Sequence, residues 1–255
     1  MAGTLPTVRG TAQALYPVTR RIEFLTDVAI ALNYTEQRSK LRPPLTRFVF
    51  PYSRMTATDM ASVRSFLESQ KGQFDTSWSV TLGATTYNHL TLEDSVFEVL
   101  EQAETKTTYG FTLRCRQTQN PGQTAGSPGG TFPTLSAGVT CQLPYTQIRR
   151  YSVLLNDNPT SGNRYTWTWF GGGLSGFPTG SLHGWTLAYQ VLSDADLATL
   201  ETFYRNQWGR WSSFTFVDPE TNISYSKCRF DDDALEISHQ QPNVSSLTLK
   251  ILETN

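Results

Sequence analysis

Histidine and cysteine, side chains that commonly hold a metal, move a proton or attack a substrate, number three each and are widely spaced in this 255-residue chain. Its three histidines, His89, His183 and His239, fall in no H-E-x-x-H or other close ligand pair. Cys115, Cys141 and Cys228 form no C-x-x-C, which argues against a zinc site and against a disulfide framework and points to a reducing compartment. The run Asp231-Asp232-Asp233 lacks the alternating spacing of a calcium loop and reads as a solvated turn after Phe230. A hydrolase built from Asp231, Asp232 and His239 would rest on nearness in sequence alone. Gly171-Gly172-Gly173 has no lysine in Walker spacing and no helix opening after it, and Cys141 has no base near it. The sequence therefore predicts no catalytic residue, no metal ligand and no cofactor. The sequons at Asn33, Asn222 and Asn243 carry no weight without a secretory signal, and none is legible at the N-terminus.

What must position the remaining residues is a chain rich in strand formers. Charged residues make up 17% and aromatic ones 12%, and 21 basic against 22 acidic side chains leave a net charge of -1. That balance favours strands and disfavours a basic nucleic-acid binder. The longest clean apolar run, Val28 to Leu32, is too short to span a bilayer, so a protein made in the cytoplasm with no membrane partner is expected.

An internal duplication organises the chain. Thr56 to Phe74 aligns without gaps on Ser193 to Trp211, 137 positions on, with Asp59/Asp196, Ala61/Ala198, Phe66/Phe203, Gln70/Gln207 and Gly72/Gly209 identical. After a one-residue slip, Thr86-Tyr87 through Glu93-Asp94 matches Ser224-Tyr225 through Asp231-Asp232. Each copy predicts a helix capped by Thr56 or Ser193, with Asp59 or Asp196 in a capping-box position and Gly72 or Gly209 at a left-handed C-cap. Met60, Val63, Phe66 and Leu67, and Leu197, Leu200, Phe203 and Tyr204, define its buried stripe. Phe74 and Trp211 follow as paired core aromatics. Alternating strands precede each helix, and further strands follow it in antiparallel meanders.

These elements predict a mainly β protein with one flanking helix per repeat. The first domain spans 1–116 and the second 134–255. Between them, 117–133 reads as a Gly/Pro/Ser/Thr-rich flexible linker that adds nothing to a core. In the second half, Trp167, Trp169, Phe170 and Leu174 run into the triple glycine as a protruding hairpin or loop. They form either a contact surface or, for Trp167 and Trp169, a core face.

The segments Leu45 to Asp94 and Trp185 to Asp232 resemble the minor tail and distal tail proteins of long-tailed bacteriophages. The second carries the likeness more fully, through Trp185-Thr-Leu-Ala-Tyr189, Gly209-Arg-Trp211, Phe214-Thr-Phe216-Val-Asp218-Pro219 and Tyr225 to Asp232. The first lacks the Phe-x-Phe-x-Asp-Pro segment after Gly72. The resemblance implies two tandem tail-tube-like barrels or sandwiches and a structural virion protein of the tail tip without enzyme activity. Its partners would be copies of itself in a trimeric or hexameric ring, the tail tube protein, the hub or baseplate protein, and passing genomic DNA without specific binding. The alternative is a tandem carbohydrate-binding module in which Trp167, Trp169 and Trp211 stack on sugars.

Overall fold

The computed structural model describes residues 3–9, 14–30, 36–71, 78–94, 96, 98–101, 108–118, 126–136, 145–150, 152–154, 166–168, 182–219 and 221–254. Among these, strands dominate. The first half runs β1 (Val18–Ile30), β2 (Glu36–Met55), α1 (Ala57–Ser69), β3 (Trp78–Leu82), β4 (Thr85–Leu92), β5 (Leu100–Glu101) and β6 (Tyr109–Gln117). The second runs β7 (Tyr145–Arg150), β8 (Ser152–Leu154), β9 (Thr166–Thr168), β10 (Leu182–Leu192), α2 (Asp194–Gln207), β11 (Phe214–Val217), β12 (Ser224–Phe230), β13 (Ala234–Gln241) and β14 (Val244–Glu253). Twelve strands form one open antiparallel sheet, and β8 and β9 pair separately. The sequence led us to expect a mainly β protein of two tandem barrels or sandwiches; the protein is mainly β, and strands of both halves join one continuous sheet.

Strand alternation divides each half into a buried and an outer face. Phe48, Phe50, Trp78, Val80, Leu113 and Cys115 meet Met60, Val63 and Leu67 of α1 in one core. Trp185, Leu187, Phe214, Phe216, Leu249 and Ile251 meet Leu197, Leu200 and Tyr204 of α2 in the other. Phe66 and Phe203 pack on these cores from partly buried positions. Trp211 is partly exposed and lies outside the buried cluster, a correction to its assignment as core; Phe74 lies outside the described residues.

The helix starts form as their sequences dictate. Thr56 Oγ1 accepts from Asp59 N at 3.2 Å, and Ser193 Oγ accepts from Asp196 N at 3.1 Å. The two hydroxyls donate back to the Asp carboxylates at 2.8 and 3.0 Å, so the carboxylate takes the cap hydroxyl where a capping box takes the cap backbone N–H. At the C-terminus the left-handed turn begins one residue before the expected glycine, at Trp208 (φ 57°) and at its counterpart Lys71 (φ 52°). Gly209 (φ 61°) then continues it, and a Cβ there would stand 2.9 Å from Asp233 Oδ1 and 3.2 Å from Phe24 Cβ.

The duplication extends to irregularities that local sequence does not display. The ladder β2·β6 slips between Tyr52 and Met55, and β10·β14 slips between Tyr189 and Leu192, 137 positions on. The hairpin β3·β4 pairs Trp78 with Leu90 and Val80 with Tyr87, with a slip between; β11·β12 pairs Phe214 with Cys228 and Phe216 with Tyr225, again with a slip between. Conserved bulges re-aim side chains, so repeating them repeats the shape of the core. Asp94 pairs with Arg114 at 3.3 Å, and their counterparts Asp232 and Lys250 pair at 3.4 Å.

The two copies also share a lead-in strand segment. Thr4 bridges Ser79 and Thr131 bridges Thr215, both in parallel. Leu5 N donates to Ser79 O at 2.9 Å, and Phe132 N donates to Thr215 O at 2.8 Å. Leu5 and Val8 are buried in the first core, Phe132 and Leu135 in the second. Residues 129–133 are therefore the start of the second copy, not part of a flexible linker: Gly129 exchanges two hydrogen bonds with the Gln207 side chain, at 2.8 and 2.9 Å. The signal was in the sequence, as Thr4-Leu-Pro-Thr-Val8 against Thr131-Phe-Pro-Thr-Leu135, only 127 positions apart.

Phe132 touches the rings of Phe203, Phe214, Phe216 and Phe230. Phe132→Ala should cost about 3 to 5 kcal/mol in denaturant unfolding, whereas a residue in a flexible linker would leave the midpoint unchanged.

Candidate functional site

Among the described residues, several buried and half-buried charges gather where the two halves meet. Strand β1 pairs with β2 along one edge and with β13 along the other, from Val18↔His239 to Glu23↔Ala234. Its side chains serve both cores: Val18 belongs to the first, Ile22 and Phe24 to the second. Phe24 lies against Tyr204 and Trp208, with centroids 5.7 and 5.6 Å away.

Arg20 of β1 is 2% exposed and would be costly there alone. Its Nη1 and Nη2 donate to Glu201 Oε1 and Oε2 of α2 at 3.0 and 2.5 Å, a bidentate pair, and Arg205 Nε donates to Glu201 Oε1 at 2.8 Å. Burial pushes the Glu201 carboxyl up, but Arg20 and Arg205 outweigh it and hold it at about 2. His239, opposite Val18, is pushed down to about 4 by burial and by Arg20, against the pull of Glu201.

A second set of contacts comes from the extended ends of β1 and β2. Arg229 Nε and Nη2 donate to Glu36 Oε2 and Oε1 at 2.7 and 2.9 Å, and Arg38 Nε donates to Glu36 Oε2 at 2.9 Å. Burial raises the Glu36 carboxyl, yet the two guanidiniums bring it below its usual value. Arg38 Nη1 also donates to Trp211 O at 3.1 Å. Lys40 Nζ stands 4.2 Å from the ring centroid of Trp208 and 3.8 Å from that of Trp211. Asp233 completes the seam, its Oδ2 accepting from Thr26 N at 2.7 Å and its Oδ1 from Arg210 N at 3.0 Å.

This arrangement is a joint. A cavity of about 240 Å³ opens beside it, lined by Tyr16, Tyr87, Arg20, Glu201 and His239. It is smaller than the roughly 300 to 1,000 Å³ of ordinary ligand pockets, and its partly buried Glu201 carboxylate is already shared by two arginines. The sequence candidates are dispersed. His183 Nδ1 lies 2.8 Å from Glu253 Oε2, His239 Nδ1 2.9 Å from Ser245 Oγ, and His89 occupies a left-handed position (φ 58°) in β4. Asp231 faces Arg229 at 3.6 Å, so Asp231, Asp232 and Asp233 each engage a different partner. No group of three His, Cys, Asp or Glu side chains with metal-holding geometry occurs among the described residues, nor any helix long and apolar enough to cross a membrane. Trp167 pairs with Val153 in the β8·β9 ladder; its side chain, and Trp169, Phe170 and Leu174 entirely, lie outside the described residues. Sequence reasoning missed Arg20, Glu36, Lys40 and Glu201, whose partners are remote in the chain.

No protein-family model matches the chain, and no curated protein matches it.

Glu201→Gln leaves a buried guanidinium without its counter-charge and should cost about 3 to 5 kcal/mol in unfolding. Acid should act on the same joint. His239 has a lower folded than unfolded pKa, so the stability it permits is complete above about 6.5 and falls as pH drops to about 4. Glu201 adds a second loss as pH falls from 4.5 towards about 2. Unfolding midpoints measured from pH 7 to 4 should decline, and His239→Asn should flatten that decline.

Proposed function

We propose that this chain is a structural protein of a long-tailed bacteriophage tail tip, built of two tail-tube-like units and assembled as a ring that joins the tail tube to the hub or baseplate and lines the DNA channel. The observation that carries this reading is the directional joint between two like units. One unit offers the β1 edge and the other the β13 edge, so the contact is head to tail. Repeated around an axis, a head-to-tail contact closes into a ring when the rotation between units divides the full turn, and the ring reading takes it to do so.

The resemblance of Leu45 to Asp94 and Trp185 to Asp232 to minor and distal tail proteins supplies the setting. The balance of 21 basic and 22 acidic residues suits a wall past which DNA must slide, because phosphate-binding strength rises with each cation engaged. On this reading the protein is made in the host cytoplasm, resides in the virion tail and does no catalysis. Three chains would present six similar units to a six-fold tube, and six chains twelve. The sugar-binding alternative has less support, because the face of Trp211 that would stack on a sugar is approached by Lys40.

Light scattering of the purified protein, alone and with the tail tube protein, tests the reading. The expected result is a discrete species of three or six times 28.6 kDa alone or, on mixing, a complex that holds three or six copies of the chain. A monomer at every concentration that ignores the tube protein would overturn it.

A further inference from the structure

The internal joint has a counterpart at the two ends of the sheet. By register, β1 maps onto β7: Arg20 pairs with Phe48 and Gln147 with Trp185, where Phe48 and Trp185 are equivalent. By register, β13 maps onto the segment around β5: Leu100 pairs with Gly110 as Ser238 pairs with Ser246. In the first half, β1 pairs with β2 and β13; its counterpart β7 pairs only with β10 among the described residues. Likewise β13 pairs with β14 and β1, while β5 pairs only with β6. The chain thus carries one filled joint and, at opposite ends, the two edges of a second.

We propose that β7 of one copy adds antiparallel to the edge marked by Val96, Glu98 and β5 of the next copy, in the register of the internal joint, a proposal that rests on the ring reading above. Transferring Arg21↔Glu236 and Glu23↔Ala234 places Ile148 opposite Glu98 and Arg150 opposite Val96. Val96 is 68% exposed, an apolar side chain on the edge that the added strand would cover.

Charge makes the choice of partner specific. The position of Glu201 on α2 is held on α1 by Arg64, and that of Arg205 by Glu68. The position of Arg20 on β1 is held on β7 by Gln147. A β1 strand from another copy entering the edge of Val96, Glu98 and β5 would set Arg20 against Arg64, whereas β7 brings a neutral residue there. In reverse, β7 at the β13 edge would leave Glu201 without the Arg20 that now holds it. Each edge therefore rejects the other's partner.

Four cysteine pairs, each made by mixing two chains that carry one introduced cysteine apiece in a Cys141→Ser background where Cys115 and Cys228 are buried, test the register. Opposed residues of antiparallel strands lie within disulfide reach, and residues displaced by two lie at about 7 to 8 Å, beyond it. Mild oxidation should link Glu98→Cys to Ile148→Cys and Val96→Cys to Arg150→Cys at least tenfold faster than the swapped pairs Glu98→Cys with Arg150→Cys and Val96→Cys with Ile148→Cys. Two independent in-register pairs guard against one variant that fails to fold. Equal linking of all four would overturn the register. Ring-sized particles by light scattering without in-register links would overturn these edges while leaving the ring reading intact. Monomers without links, both alone and with the tail tube protein, would overturn both.

Discussion

Strand β1 is hydrogen-bonded on both edges, by β2 of its own unit and by β13 of the other, and this double engagement holds the molecule together. A strand so placed must satisfy two cores, and it does so by dividing its length. Val18 serves one core and Ile22 and Phe24 the other, and between them Arg20 is forced into the interior. Burying a guanidinium is tolerable only with a fixed counter-charge, which α2 provides through Glu201. The ion pair is thus less a source of net stability than a condition on which strand may enter this position. Glu36 with Arg229 and Lys40 between Trp208 and Trp211 extend the same control along the seam.

A joint of this kind gives the duplication a purpose. Two units with the same bulges and the same lead-in segment present the same edges, but their charges differ at the helix: Glu201 and Arg205 on one, Arg64 and Glu68 on the other. Similar backbone makes repeated strand addition possible, and different side chains decide which edge meets which. A protein that must match two neighbours of different symmetry would need this combination of repeated shape and divergent surface. The ring reading draws on that logic as well as on the resemblance to tail proteins.

Much of each unit was legible in the sequence, because its information is local. Helix caps at Thr56 and Ser193, the stripe Met60 and Val63 with Leu197 and Leu200, and the alternation around Phe48 and Trp185 each depend on neighbours within a few residues. The start of the second copy was obscured by the Gly- and Pro-rich composition before Phe132, which reads as linker although Thr131-Phe-Pro-Thr-Leu135 repeats Thr4-Leu-Pro-Thr-Val8. The joint was not legible at all. Arg20 and Glu201 are 181 positions apart and Glu36 and Arg229 are 193 apart, and no periodicity links charges across such spans. Trp211 was misplaced for the same reason: its match to Phe74 suggested a core, while its actual neighbour Lys40 comes from the other half.

The most direct test of the account is to image the purified protein, with the tail tube protein where assembly requires it, by electron microscopy and to count lobes in the averaged particles. The account predicts closed rings whose similar lobes number twice the chains, each lobe a β unit with its helix. Isolated two-lobed particles under all conditions, or rings in which only one lobe per chain contributes to the wall, would contradict it.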